Sequence, residues 1–341
     1  MMKIITEEAI AEIVKRHGFD NFLRDLIEIL KTDYCNWEKF TKMPRPAMHV
    51  PGGVLELMPI CDNQEFYTFK YVNCHPKNIQ KNLQTVVATG QLSEIKTGYP
   101  LMFSEMTVLT AIRTAANAAL ATDIMARKNA HVWALIGTGA QSEFQTKAML
   151  LIRDIKEIRF FDIDAKAMDK YQENITTLGI KLVRCHDAEE AVKGADIITT
   201  CTACKANVDV IKNSWVREGA HINALGGDTI GKTELELSIL DRSRIVVEYF
   251  EQAFIEGEIQ RLSKTKAKEI AKRELCQLLQ GTESGRTNDQ EITLFDSVGI
   301  ALEDYSVLKL TYDLANKYGI GLELNLTPVL ADPKDLFFLV K

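Results

Sequence analysis

The sequence predicts an α/β protein that combines a doubly wound parallel sheet with a second domain of α+β structure. From residue 131 onwards, short apolar runs alternate with helical segments, and this alternation is typical of a parallel sheet with right-handed crossovers. A glycine-rich turn, Gly137 to Ser142, directly follows the first apolar run. Residues 1 to about 115 differ, because proline and glycine separate strand-like pieces there.

The first domain is expected to open with one amphipathic helix, since apolar residues recur at helical spacing from Ile10 to Leu30. Strands are predicted over Val54 to Met58 and over Phe66 to Val72. The alanine-rich stretch Thr107 to Ala126 predicts a closely packed connecting helix, because small side chains let its backbone approach a neighbour. A last helix, from about Ile300 to Tyr318, is expected to return to the first domain.

The second domain is predicted from repeated strand and helix signals. Its strands are expected at His131 to Ile136, Ile158 to Phe161, Lys181 to Val183, Asp196 to Cys201, His221 to Leu225 and Arg244 to Val247. Helices are expected between them, from residue 142 to about 152, over 165–178 and over 188–193. We therefore expect residues 121–310 to form this domain, and residues 1–120 together with 311–341 to form the other.

Composition excludes several classes of protein. Of 341 residues, 46% are hydrophobic and 26% are charged, which is ordinary for a globular chain and excludes disorder. Lysine and arginine total 41 against 47 acidic residues, with no basic block, so nucleic acid is not an expected partner. No uncharged apolar stretch reaches the roughly 20 residues that cross a bilayer, so no membrane span is expected.

The cysteines favour a reducing compartment. The chain has seven of them, an odd number, scattered along the sequence, which is typical of a cytoplasmic protein. Cys201 and Cys204 have the spacing of a metal-binding or redox pair, but no second pair or histidine cluster lies nearby in the sequence. We interpret them as two packed thiols and expect no metal.

The glycine-rich turn predicts a dinucleotide site in a Rossmann-type domain. Gly137 and Gly139 would let backbone N–H groups and a helix N-terminus approach a pyrophosphate, and Ser142 replaces the usual third glycine. Asp162 lies 25 residues beyond Gly137, at the end of the next strand, where a carboxylate can accept ribose hydroxyls and repel a 2′-phosphate. NAD is therefore favoured over NADP, the alternative being an ordinary turn with a surface aspartate.

Charged residues in apolar surroundings suggest a polar ligand. Arg45 lies between two prolines, Glu56 and Lys70 lie within predicted strands, and Arg113 lies within the alanine-rich helix. Buried charges are costly unless paired, so three cations and one carboxylate suggest an anionic ligand that bears an amine. The alternative is internal salt bridges. Asp228 follows a strand and two glycines, at the sheet edge that faces ligands in open α/β folds.

Several motifs, in order along nearly the whole chain, resemble the ornithine cyclodeaminase and mu-crystallin family, and its cyclodeaminating members most closely. The motifs are Gly53 to Pro59, Phe69 to Pro76, Gly98 to Leu101, Gly137 to Gln145, Gly226 to Asp228 with Gly231 to Leu235, and Phe295 to Gly299. The resemblance implies conversion of L-ornithine to L-proline and ammonia, with tightly bound NAD as a recycled hydride carrier. It also implies a homodimer, whose first domain binds substrate and contacts the partner subunit.

The resemblance also implies roles for individual residues. Arg45, Lys70 and Arg113 would bind the α-carboxylate. Glu56 and Asp228 would handle the amino groups, with Asp228 as the candidate base because an alkylammonium has no lone pair with which to attack. Residues expected at the cofactor are Gly137, Gly139, Ala140, Gln141, Asp162, Thr85, Thr202, Lys232 and Ser297.

Two other functions stay open on the sequence alone. One is an NAD(P)-dependent amino-acid dehydrogenase or ketimine reductase on the same scaffold. The other is a non-catalytic binding protein of the crystallin type, against which Glu56 and Asp228 argue. The chain length of the diamino acid also stays open, since a longer substrate such as lysine fits the same chemistry.

Overall fold

A computed structural model describes residues 1–203 and 206–341. The first part of the chain contains, in order, β1 Met2–Ile5, α1 Glu7–His17, α2 Phe19–Cys35, β2 Thr41–Lys42, β3 Ala47–Val50, β4 Gly53–Cys61, β5 Phe66–Cys74, β6 Val86–Glu94, β7 Pro100–Glu105 and α3 Thr107–Met125.

The second part begins the alternation of strands and helices. It contains β8 Val132–Ile136, α4 Ser142–Ile152, β9 Glu157–Phe161, α5 Ala165–Ile175, β10 Lys181–Arg184, α6 Ala188–Val192, β11 Ile197–Thr200, β12 Asn207–Ile211, β13 His221–Ala224, β14 Thr233–Leu235, α7 Leu237–Asp241, β15 Ser243–Val247, α8 Phe250–Glu256, α9 Lys264–Ile270, β16 Arg273–Glu274, α10 Leu275–Leu279 and β17 Ile292–Asp296. The last elements are α11 Ala301–Tyr318 and β18 Leu322–Leu324.

The first sheet is mixed and has the order β18-β1-β7-β6-β5-β4-β2, with β3 also paired to β4. Side chains alternate between its two faces, as the strand period requires. On β4 and β5 the inner face carries Glu56 and Lys70, which are buried, whereas Leu57 and Tyr71 are exposed on the outer face. Helix α11 packs against β4, β5 and β6, so the two charged residues lie beneath a helix.

The opening helical segment is two helices, and the prediction of one is wrong. Gly18 has a φ of +87° and separates α1 from α2. Glycine adopts this left-handed region without the steric penalty that other residues meet. The apolar residues before and after the break, including Ile10 and Leu30, are still buried in the same core, which is why their spacing resembles one continuous helix.

The second sheet confirms the predicted fold class. Its order is β10-β9-β8-β11-β13-β17-β15-β16, and every pairing within it is parallel. The chain order reverses between β8 and β11, and such a reversal opens a crevice at the carboxyl ends of the strands. The sequence pattern leaves β17 unassigned, although it is a central strand whose five residues are all buried.

Helix α3 joins the two sheets. Helix α3 packs against α2, α4 and α11 and also contacts β6, β13 and β17. Its buried alanines, such as Ala115, Ala116 and Ala119, allow this close approach. Helix α11 lies across the predicted domain boundary at residue 310, and the division into domains stays a prediction.

Within the described part of the chain, no helix combines the length and apolar character needed to span a membrane.

Candidate active site

Four loops meet at the carboxyl edge of the second sheet. They follow β8, β11, β13 and β17, which are successive neighbours in that sheet, and they carry Gly137, Thr202, Asp228 and Ser297. The first two loops are in close contact, since a Cβ atom on Gly137 would lie 2.7 Å from the carbonyl oxygen of Cys201. The switch point, which is the reversal of chain order between β8 and β11, therefore brings together residues that the sequence separates by up to 160 positions.

The glycine turn fits a dinucleotide. Gly137 has a φ of +100°, and a Cβ on Gly139 would meet nothing within 4 Å, so the turn leaves open space beside its backbone. The hydroxyl of Ser142, the first residue of α4, is buried and donates to the carbonyl of Gly139 at 2.8 Å. Oε1 of Gln141 is buried without a hydrogen-bond partner among the described residues. These features suit a polar ligand at the start of α4.

Asp162 lies directly after β9 and faces the same turn. Its Oδ2 accepts a hydrogen bond from the backbone N–H of Thr138 at 2.6 Å, and its Oδ1 accepts one from Asp164 at 2.9 Å. Ala140, at the tip of the turn, is exposed. The carboxylate is therefore held at the end of β9, where the sequence predicts a ribose contact.

Lys232 connects the loop after β11 to Asp228. Its Nζ donates to the carbonyl of Thr202 and to Oδ1 of Asp228, each at 3.0 Å. Lys232 is 2% exposed, whereas the Asp228 side chain is 39% exposed. A buried cation therefore orients a carboxylate that is partly open to solvent.

Glu234 supports the loop that carries Asp228. A Cβ on Gly226 would lie 1.8 Å from Oε2 of Glu234, so only glycine fits at that position. Oε1 of Glu234 accepts a hydrogen bond from the backbone N–H of Thr202 at 2.9 Å, and burial raises the pKa of the Glu234 carboxyl despite the opposing effect of Lys232. Gly226, two residues before Asp228, therefore packs directly on the buried carboxyl group of Glu234.

Arg45 is the centre of the first-domain side of the site. Its Nε lies 3.1 Å from Oε1 of Glu56, and its Nη2 donates to the backbone carbonyl of Asp228 at 3.0 Å and also pairs with Glu256. Its Nη1 donates to the carbonyl of Val298 at 3.2 Å. One guanidinium thus joins β4, α8 and the loops after β13 and β17.

Glu56 is a buried carboxyl with an altered acidity. Burial raises its pKa above the ordinary value, although the Arg45 guanidinium acts in the opposite direction, and Glu256 adds to the increase. Lys70 and Asp228 also act on it electrostatically. A carboxyl with a raised pKa is better suited to exchange a proton near neutral pH.

Lys70 and Arg113 share one carboxylate of α11. Nζ of Lys70 lies 2.9 Å from Oδ1 of Asp304, and Nε of Arg113 lies 3.2 Å from the same oxygen. Arg113 also pairs with Glu303 at 2.5 Å. Burial, together with the charge of Arg113, lowers the pKa of Lys70 to about 8. For Arg113, the two carboxylates outweigh burial and raise the pKa.

Several buried polar atoms in this cluster lack a well-aligned hydrogen bond. Among the described residues they include Nε of Arg45, Oε1 of Glu56, Nε of Arg113 and Oδ2 of Asp304, although the first three lie in ion pairs at 3.1 to 3.2 Å. Native proteins leave few buried polar atoms unpaired. Their concentration around the predicted substrate residues is consistent with a site for a small polar ligand.

Glu248 holds the loop after β17. It accepts hydrogen bonds from the hydroxyl of Ser297 at 2.5 Å and from the backbone N–H groups of Val298 and Gly299 at 3.0 and 2.8 Å. Gly299 has a φ of +76°, and a Cβ there would lie 2.5 Å from Nη1 of Arg113. The loop that carries Ser297 is thereby packed against a predicted substrate residue.

The structure unites most of the predicted site. Arg45, Glu56, Lys70, Arg113 and Asp228 form one cluster, which Lys232 and Thr202 link to the glycine turn. Thr85 lies on a different segment, immediately before β6. The predicted pair of thiols includes Cys204, which lies outside the described residues.

The carboxylates that pair with the cations were missed. Glu256, Glu303 and Asp304 bind Arg45, Arg113 and Lys70 in the structure. Their signal in the sequence is weak, because acidic residues in the first turn of a helix, such as Glu303 and Asp304, ordinarily serve as helix-stabilising charges on the surface.

Comparison with known proteins gives the same assignment as the motifs. The sequence profile of the Ornithine cyclodeaminase/mu-crystallin family matches residues 7–318. The chain belongs to this family. The resemblance predicted from the motifs is confirmed.

The proteins that this chain resembles have names that refer to different amino-acid substrates. Ornithine cyclodeaminase of Agrobacterium tumefaciens (strain Ach5) is 44% identical over 337 residues, which cover 99% of this chain and 93% of that protein. An archaeal alanine dehydrogenase, solved as a dimer with bound NAD, has a TM-score of 0.88 and 32% identity over 96% of this chain and 99% of its own. Lysine cyclodeaminase, solved to explain recognition of L-lysine, L-ornithine and L-2,4-diaminobutyric acid, has a TM-score of 0.90 and 28% identity over 98% of each chain.

Proposed function

We propose that the chain is an NAD-dependent ornithine cyclodeaminase, which converts L-ornithine to L-proline and ammonia. The observation that carries the proposal is the convergence of Glu56 and Asp228 on Arg45. Arg45 Nε lies 3.1 Å from the Glu56 carboxylate, and Arg45 Nη2 donates to the backbone carbonyl of Asp228 at 3.0 Å. The carboxylate of Asp228 is near enough to act electrostatically on both Arg45 and Glu56, and two carboxylates in one cluster suit a diamino acid. The 44% identity to an ornithine cyclodeaminase, against 32% to an alanine dehydrogenase, supports it.

The cofactor residues act by holding a dinucleotide at the switch point. NAD held there would supply a reversible hydride acceptor. Backbone N–H groups near Ala140 and Gln141 would bind its phosphates, and Asp162 would bind its ribose hydroxyls. Further residues proposed at the cofactor are Gly137, Gly139, Thr85, Thr202, Lys232 and Ser297.

Arg45, Lys70 and Arg113 bind the α-carboxylate of the substrate. All three are buried, so water competes little for their hydrogen-bond donors, and charge-assisted hydrogen bonds to a carboxylate are strong in such surroundings. Their own carboxylate partners fix them in place before substrate arrives. This arrangement fixes the position of the α-carbon at the sheet edge. An intramolecular ring closure depends on such a fixed orientation of the reacting groups.

Glu56 and Asp228 handle the two amino groups. Glu56 accepts a proton from the α-ammonium, so that the nitrogen lone pair can assist hydride departure from the α-carbon. Asp228 removes a proton from the δ-ammonium, and the free amine attacks the resulting iminium carbon. The α-nitrogen leaves as ammonia, and return of the hydride to the cyclic imine gives proline. The sum of these steps is redox-neutral.

The decisive experiment follows products and NADH together. With ornithine and a catalytic amount of NAD, proline and ammonia should appear in equal amounts while NADH absorbance stays low. Steady growth of NADH would instead indicate a dehydrogenase, and no turnover would indicate a binding protein. Lysine, 2,4-diaminobutyrate and alanine, compared by product mass, define the side chain that the site accepts.

The assembly we propose is a cytoplasmic homodimer, in which residues 1–120 and 311–341 bind substrate and contact the partner subunit, and residues 121–310 bind NAD. The exposed apolar residues on the outer face of the first sheet support the contact: Leu57, Tyr67, Tyr71 and Val87. The thiols of Cys35, Cys61, Cys185 and Cys276 are free, in keeping with a reducing compartment. Analytical ultracentrifugation of the wild type and a Tyr71→Glu variant tests the interface, since the charge should shift a dimer towards monomer.

A further inference from the structure

An acidic residue lies at the helix N-terminus that is proposed to bind the pyrophosphate of NAD. Glu143 is the second residue of α4, whose N-terminus follows the glycine turn. Negative side chains ordinarily stabilise a helix N-terminus, but here the same N-terminus is proposed to bind a pyrophosphate, and two negative groups compete for it. The carboxylate therefore needs a counter-charge that does not come from the ligand.

Lys170 of α5 supplies that charge. Its Nζ lies 2.7 Å from Oε1 of Glu143 and 2.9 Å from Oε2. Asn174, one turn further along α5, donates to Oε1 of Glu143 at 2.9 Å. Burial alone would raise the pKa of Glu143, but the hydrogen bonds from Lys170 and Asn174 outweigh it and hold the pKa below its ordinary value. Glu143 is thus ionised at neutral pH, and its charge is directed towards α5.

Lys170 also reaches the backbone of the turn. Its Nζ donates to the carbonyl oxygen of Gly139 at 3.0 Å, and the hydroxyl of Ser142 donates to the same oxygen. In a planar trans peptide, the C=O of one residue and the N–H of the next point in opposite directions. Holding the Gly139 carbonyl towards α5 therefore points the N–H of Ala140 away from α5, to the side where the turn is open.

We propose that Lys170 is a positioning residue for the dinucleotide. Lys170 neutralises Glu143, and the N-terminus of α4 can then accept phosphate. The inference rests on the proposed function, because it concerns binding of the same NAD. Loss of Lys170 should affect NAD binding rather than folding, because its side chain is 42% exposed and exposed ion pairs contribute little to stability.

NAD affinity, measured by calorimetry without substrate, tests the inference. Lys170→Met should weaken NAD binding at least tenfold, because the ionised Glu143 then repels the phosphates, and Lys170→Arg should stay within about threefold of wild type. Lys166→Met is the matched control, since Lys166 is an exposed lysine on the same helix, and should leave affinity unchanged. Thermal melts establish that each variant is folded.

A double variant separates charge neutralisation from a purely structural effect. If Lys170 acts through Glu143, Glu143→Gln in the Lys170→Met background should restore NAD affinity to near the wild-type value. The loss in Lys170→Met should also shrink at high salt, because salt screens the repulsion. Unchanged affinity in Lys170→Met, or no recovery in the double variant, overturns the inference.

The proposed function fails in a different way. If the wild-type chain neither binds NAD nor forms proline, the function is wrong. If it does both while Lys170→Met binds NAD as tightly as wild type, only the role of Lys170 is wrong.

Discussion

The ammonium of Lys232 donates a hydrogen bond to the carboxylate of Asp228, with 3.0 Å between Nζ and Oδ1. Lys232 is itself fixed by the carbonyl of Thr202, on the loop beside the glycine turn. The proposed base is therefore oriented by a lysine that the loop after β11 holds in place. This contact links the proposed base to the proposed cofactor site, and substitution of Asp228 tests the two roles separately.

Asp228→Asn should lower kcat by about 100-fold or more, in the range typical of a lost general base, and change the Kd for NAD by less than about twofold. Asparagine can still accept the hydrogen bond from Lys232, but its amide cannot take a proton from the δ-ammonium. Proline formation and an NAD titration measure the two effects. Unchanged turnover would remove Asp228 as the base.

Affinity for a carboxylate ligand should fall as pH rises through about 8, the pKa of Lys70. Above that pH, Lys70 loses its charge and one of the three cations is lost. Pentanoate is a suitable probe, because it has no amine that titrates in this range. Lys70→Arg should abolish the decline, since arginine stays protonated. The same decline in that variant would mean that another group titrates.

Stability should decrease between about pH 4 and pH 6 because of Asp33 on α2. Burial raises the pKa of this carboxyl from 3.8 to about 6, even though Ser306 of α11 donates a hydrogen bond to it. Between these values the folded state binds more protons than the unfolded state, so the free energy of unfolding falls as pH rises, by up to about 3 kcal/mol. Above pH 6 this contribution is constant.

Asp33→Asn should flatten that pH dependence and raise stability at pH 7, since an amide carries no charge to desolvate. Urea denaturation at several pH values measures the effect. Glu28→Gln is the control, because Glu28 is an exposed acid on the same helix, and should leave the slope in place. An unchanged slope in Asp33→Asn would show that Asp33 is not its source.

Gly226→Ala should disrupt the loop that carries Asp228. Its Cβ would lie 1.8 Å from Oε2 of Glu234, whereas the Cβ of a Gly227→Ala variant would lie 3.4 Å from its nearest neighbour, Glu258. We expect kcat/KM to fall about 100-fold or more in the first variant and less than about tenfold in the second, consistent with the sensitivity of catalysis to small misplacements. Equal losses in the two variants would mean that the clash is not the cause.

Much of the proposed site can be read from the sequence because its patterns are local. The strand before Gly137, the helix after it and Asp162 all lie within one strand-helix-strand unit. The placement of Glu56 and Lys70 on one sheet face follows from the two-residue period of strands. The break at Gly18 was missed, because a core-facing stripe continues across it and hides the change of direction.

The sequence by itself determined the fold class and the family, and it singled out the residues of the proposed site, because these depend on short-range spacing and recognisable motifs. Only the tertiary structure decided how the charges are paired. Arg45 meets Glu256 across 211 residues, Lys70 meets Asp304 across 234, and Arg113 meets Glu303 across 190. An ion pair requires two side chains within about 4 Å, and no local pattern encodes that distance. It is set by the packing of α8 and α11 against the two sheets.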